Sequence, residues 1–101
     1  MLTSKQRAGL RGQASRLDTT LHIGKSGITD TVIKQMDESL TAHELVKGKV
    51  LENSLLSARE ACDALSEACK AEPVQVIGSK FVLYRANTKI AKDKRIQLVK
   101  D

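Results

Sequence analysis

Apolar residues recur along this chain with two periods, and the switches between them mark out its elements. Residues 3–17 place Leu10, Ala14 and Leu17 at helical spacing, with Thr3 or Ser4 as the cap. Gly9 and Gly12 weaken this helix by about 1 kcal/mol each relative to alanine. Residues 19–23 alternate, Leu21 and Ile23 on one face and Thr20 and His22 on the other, which predicts a short strand. A second helix follows, capped by Thr29, with Asp30 complementing the dipole in its first turn. Ile28 and Ile33 have the spacing of a hydrophobic staple, and the stripe runs on through Met36 and Leu40 with Asp37 and Glu38 outward.

Period two returns over residues 44–51, where Val46, Gly48 and Val50 alternate with Lys47 and Lys49. Residues 54–71 then predict a third helix, capped by Asn53 or Ser54, on the stripe Leu55, Ala58, Cys62, Leu65 and Cys69. Pro73 ends that segment. Val74–Ile77 and Phe81–Arg85, joined by Gly78-Ser79-Lys80, predict a hairpin. The order αβαβαββ favours a two-layer α/β domain with a mixed sheet. From residue 87 the pattern dissolves: residues 86–101 carry five Lys and Arg against two Asp, which reads as a basic tail, with Ile96, Leu98 and Val99 as a candidate docked strand.

Composition narrows the partners. With 101 residues the chain is one domain, and 17 Lys and Arg against 12 Asp and Glu leave it at +5, a balance that favours polyanions. Phe81 and Tyr84 are the only aromatics, which argues against readers that stack single-stranded bases on aromatic platforms. Cys62 and Cys69 lie seven apart on a predicted helix, roughly 10 Å along it, too far for a disulfide and read as small core residues. No apolar run approaches a membrane span and no signal peptide opens the chain, so the expectation is a soluble cytoplasmic monomer.

The stretch richest in chemistry is Leu21-His22-Ile23-Gly24-Lys25-Ser26-Gly27-Ile28-Thr29-Asp30. It predicts a strand, a tight Gly-x-x-Gly turn bearing a lysine, and a helix start. The unpaired N–H groups and positive dipole end of that helix face the turn, an arrangement suited to a phosphate. Lys47, Lys49, Lys80 and Arg85 could extend such a contact along the sheet. Lys5, Arg7 and Arg11 on the basic first helix could extend it further. Catalysis is poorly served: His22 and His43 fall at opposite ends of the second helix, and the cysteines and histidines lack the close pairing of a zinc site. The Gly-Lys-Ser-Gly run lacks the spacing of a nucleotide-binding phosphate loop. No cofactor is implied.

The turn, the His43-Glu44-Leu45-Val46-Lys47 lead-in to the second strand, and Val74-Gln75-Val76-Ile77-Gly78 followed by Val82-Leu83-Tyr84-Arg85 together resemble the CRM domain, whose bacterial stand-alone form is the YhbY type. The resemblance covers roughly residues 2–86. It implies a fold similar to the C-terminal domain of bacterial initiation factor three, a four-stranded sheet with helices on one face. It also implies association with precursors of the large ribosomal subunit, with its ribosomal RNA as partner, and an RNA-contacting loop at Gly24, Lys25, Ser26 and Gly27. Gly48 departs from the family pattern, where an apolar strand residue is usual, and on that ground strand two is expected to be loosened. The rival from another class is a basic protein-interaction adaptor, acting on a ribonucleoprotein through the acidic second helix and the small-residue third.

Overall fold

A computed structural model describes residues 2–87. Its elements follow the expected order: α1 (Ser4–Ala14), β1 (Leu21–Ile23), α2 (Asp30–His43), β2 (Leu45–Val50), α3 (Ala58–Cys69), β3 (Glu72–Ile77) and β4 (Lys80–Tyr84). The four strands form one mixed sheet in the order β1-β2-β4-β3, with β1 parallel to β2 and the other pairs antiparallel.

Strand alternation divides the sheet into two apolar faces. Leu21, Ile23, Val46, Val50, Phe81 and Leu83 form the main core with Met36 and Leu40 of α2 and Ala61, Cys62 and Leu65 of α3. Leu45, Val74, Val82 and Tyr84 point the other way and bury Leu10 and Ala14 of α1. The expectation of helices on one face therefore holds for α2 and α3 but not for α1, which crosses to the opposite side. The reason lies in the strands: β2 and β4 carry apolar residues on both faces, and the second set needs a cover.

Local chemistry explains the element boundaries. Thr3 caps α1 reciprocally with Gln6: Thr3 Oγ1 accepts the Gln6 N–H at 3.1 Å, and Gln6 Oε1 accepts the Thr3 N–H at 3.1 Å. This helix stops at Ala14, so Leu17 lies outside the stripe and stays 36% exposed. The third helix begins at Ala58, not 54, because Ser57 and Glu60 form the same reciprocal box, at 3.1 and 3.0 Å. Leu55, which the periodic stripe places in the helix, is instead 95% exposed on the preceding connection. Lys70 closes α3 in the left-handed region, φ 55°. Pro73 therefore does not end the helix; it sits in β3, an edge strand, where a missing N–H is tolerated, and the register shifts between Pro73 and Gln75.

Gly48 does not loosen its strand. A Cβ there would come within 2.5 Å of Phe81 Cζ, and the Phe81 ring, fully buried, fills the space that a side chain at 48 would take. The two cysteines are free and buried, as expected of small core residues. Of the predicted tail only Asn87 is described: its backbone N–H donates to Glu44 Oε2 at 2.7 Å and its Nδ2 to the Thr41 carbonyl at 2.6 Å. The remainder, including Ile96, Leu98 and Val99, lies outside the described residues.

Candidate nucleic-acid interface

The Gly24–Gly27 turn joins β1 to α2 and is closed by the Gly27 N–H donating to the Gly24 carbonyl at 3.0 Å. Gly27 has φ +67°, a conformation that a side chain would strain. Lys25 and Ser26 at the tip are exposed. Ile28 packs on the main core, which fixes the turn to the body of the domain. Thr29 Oγ1 accepts the Val32 N–H at 3.2 Å, while the N–H groups of Asp30 and Thr31, in the first turn, have no acceptor within the helix itself. They stand at the positive end of the α2 dipole, beside the lysine.

Strand register determines which basic residues meet. Lys49 pairs with His22 of β1 on one side and Lys80 of β4 on the other, so three cationic or ionisable side chains form a row across the sheet. That row lies at the end of the sheet where the Gly24–Gly27 turn emerges. Lys47 is on the same face, and its Nζ reaches the Ala14 carbonyl at 3.5 Å. The C-terminal half of α1 completes the surface: Arg11 and Ser15 share a groove of about 320 Å³ with Lys47, Gln75, Lys80 and Val82.

Other predicted contacts are not brought to this place. Lys5 sits in the first turn of α1, toward the opposite end of the sheet. Arg7 is tied to β3, its Nε donating to the Pro73 carbonyl at 3.2 Å and its guanidinium 3.6 Å from the Glu72 carboxylate. Arg85 lies on the α2–α3 side. It donates to Asp37 Oδ1 at 2.6 Å, and to the Cys69 carbonyl, the Asp37 carbonyl and Thr41 Oγ1 at 2.9 Å each. Its role is to lock β4 to two helices. A sequence pattern gives an arginine's strand but not the acceptors that the fold brings to it.

His22 is the member of this row that the sequence pattern does not single out. Alternation places it on the outward face of β1, but its position beside Lys49 depends on the parallel β1–β2 register, which hydropathy does not encode. The two histidines are also closer in the fold than expected: α2 runs back along β1, so His22 and His43 line one cleft with Gln35, Glu38 and Ser39. Among the described residues no group of three or more His, Cys, Asp or Glu is placed to hold a metal ion. No described helix is long and apolar enough to cross a membrane.

The family model of the CRS1 / YhbY (CRM) domain matches residues 2–85. The chain belongs to the CRM domain family. Its relatives include the "Probable RNA-binding protein YqeI" of Bacillus subtilis, 38% identical over 98 residues, which cover 97% of this chain and 99% of that protein. A Haemophilus influenzae protein named "RNA-binding protein" is 34% identical over 84 residues, covering 83% of this chain and 85% of the relative. Among solved structures, the solution structure of the hypothetical protein SAV1595 from Staphylococcus aureus superposes with a TM-score of 0.77 at 43% identity, covering 96% of this chain and all of the other. This CRM domain thus shares both sequence and fold with its relatives over nearly its whole length.

Proposed function

We propose that this CRM domain binds RNA through the sugar-phosphate backbone, within a precursor of the large ribosomal subunit. The Gly24–Gly27 turn takes one phosphate on its backbone N–H groups, with Lys25 and the α2 dipole adding charge. Lys49, Lys80, Lys47 and Arg11 carry the strand across the open half of the sheet.

The observation that carries this reading is the pairing of Lys49 with Lys80. Like charges directly opposite on neighbouring strands are destabilising, and a bound polyanion removes the repulsion. The names of the relatives support RNA as that polyanion. Contacts of this kind give affinity with little sequence information. Specificity then comes from RNA shape or from neighbouring ribosomal proteins, and the domain works without a cofactor or a catalytic step.

The test is a salt titration of binding to purified ribosomal RNA fragments, with Lys25→Asp beside the unaltered protein. Affinity should fall log-linearly with salt. The variant should bind more weakly and with a shallower slope, by roughly 0.7–0.9, because it neutralises one phosphate fewer. Unchanged affinity in a folded Lys25→Asp protein would remove the turn from the interface. Crosslinking in cells followed by sequencing should recover large-subunit ribosomal RNA; recovery of messenger RNA alone would overturn the ribosomal assignment.

A further inference from the structure

Beside the phosphate turn runs a groove of about 570 Å³, between the 51–57 connection and the Gly78-Ser79 turn, a volume in the range that small ligands occupy. Val50, Leu51 and Leu56 give it an apolar wall, and Lys49, Glu52 and Ser79 supply polar groups. The wall is continuous with the turn. A Cβ on Gly24 would lie 3.9 Å from Leu51 Cδ1, and one on Gly27 3.5 Å from Leu56 Cδ1. These are ordinary contact distances, so the two leucines lie directly alongside the turn. Apolar surface is left open here: Leu51 is 37% exposed, and the neighbouring Leu55 95%.

We propose that this groove holds an unstacked nucleobase, the one attached to the phosphate on the Gly24–Gly27 turn. The proposal rests on the RNA-binding reading above and adds to it the form of RNA: single-stranded or bulged at this point. Glu52 and Lys49 together favour a base as the occupant. Their opposite charges leave no net attraction for a phosphate, while the carboxylate accepts from a base amino group and the ammonium donates to a base carbonyl or ring nitrogen. The aromatics cannot do this work, because Phe81 and Tyr84 are both buried in the sheet. An aliphatic slot next to a phosphate site is what remains for the flat face of a base. A paired base must first leave its stack, at a cost that an unpaired base does not meet.

Fluorescence anisotropy on the intact protein tests this with three RNAs: a short mixed-sequence single strand, the same strand carrying abasic residues, and a duplex of that sequence. The intact strand should bind about fivefold more tightly than the abasic strand, the effect of burying roughly 40 Å² of apolar surface against the leucines. Leu51→Ala, with its fold checked by circular dichroism, should lose that advantage and leave the abasic strand and duplex unaffected. Lys25→Asp should weaken all three. Equal affinity for intact and abasic strands, with salt-dependent binding retained, overturns the groove assignment alone and leaves the exposed leucines to a protein partner. Because the abasic comparison uses the unaltered protein, it stands even where Leu51→Ala disturbs the turn. Loss of salt dependence, together with indifference to Lys25→Asp, would instead overturn the RNA-binding reading itself.

Discussion

Replacing Gly48 by alanine isolates one packing relation on which the sheet depends. In an ordinary strand the change is mildly favourable, since glycine weakens strands and alanine reduces the freedom of the unfolded chain, together about 0.5–1 kcal/mol. Here the new methyl would stand 2.5 Å from Phe81 Cζ, 2.8 Å from Cε2 and 3.0 Å from Cε1. The ring is fully buried and shares its core with Ala61, Cys62 and Leu65 of α3, so it cannot swing into solvent. Overpacking of this kind costs about 1–3 kcal/mol, which outweighs the backbone gain and leaves a net loss of about 1–2 kcal/mol. For a domain of this size that lowers the melting temperature by roughly 4–15 °C. Thermal and urea unfolding followed by far-ultraviolet circular dichroism give the measurement. A second variant sharpens it: Phe81→Ala alone should cost about 3–5 kcal/mol through its cavity. Adding Gly48→Ala to that background should be neutral or stabilising, because the clash has gone. A Gly48→Ala protein as stable as the parent, or equal losses in both backgrounds, would refute the claim that Phe81 occupies the space left at Gly48.

Three further outcomes follow from the packing. Arg85→Ala should destabilise the domain by about 2 kcal/mol, since it strands acceptors on α2 and α3, but should leave RNA affinity of the folded protein unchanged; a selective loss of affinity would return Arg85 to the interface. Ser57→Ala should cost about 1 kcal/mol by opening the capping box of α3, read from the urea midpoint, and no change would move the helix start elsewhere. Burial pushes both thiols up, helped at Cys69 by the nearby carboxylate of Asp37. The unfolded chain then ionises first, so the thiols' share of stability is intact below the ordinary thiol range and is lost as pH rises through it. Stability should fall less steeply over that alkaline range in a Cys62→Ala, Cys69→Ala protein. Parallel profiles would show that the thiols do not contribute.

Features governed by local chemistry are legible in the chain. The Thr29 cap and the alternation of β2 depend on residues within a few positions of one another. They appear in the fold where the pattern puts them, with Ile28 and Ile33 both packed on the main core. The same kind of signal, Ser57-x-x-Glu60, is present for α3 but competes with a run of periodic apolar residues that draws Leu55 into the helix. The face chosen by α1 is not legible, because it depends on Leu45, Val74, Val82 and Tyr84 joining from three strands. Nor is the Lys49–Lys80 pairing, which register creates between residues thirty-one positions apart. Arg85 shows the limit most clearly: its charge is visible in the sequence, but its acceptors belong to two helices that meet it only in the folded chain.

That choice of face also accounts for the distribution of charge. Along one side of β2 the residues run Leu45, Lys47, Lys49, and along the same side of β4, Tyr84, Val82, Lys80. They are apolar where α1 lies over them and basic beyond its end, where no helix covers the sheet. The opposite side is covered throughout by α2 and α3, whose outer surfaces carry Asp37, Glu38, Asp63 and Glu67. With α1 on that side as well, Leu45, Val82 and Tyr84 would be open to water and Arg11 would stand among acids. On its own face it buries the first three and adds a cation to the lysines. A chain of only +5 can thus present a strongly basic surface to a polyanion, because Asp37, Glu38, Asp63 and Glu67 stand behind the sheet and repel the same ligand there.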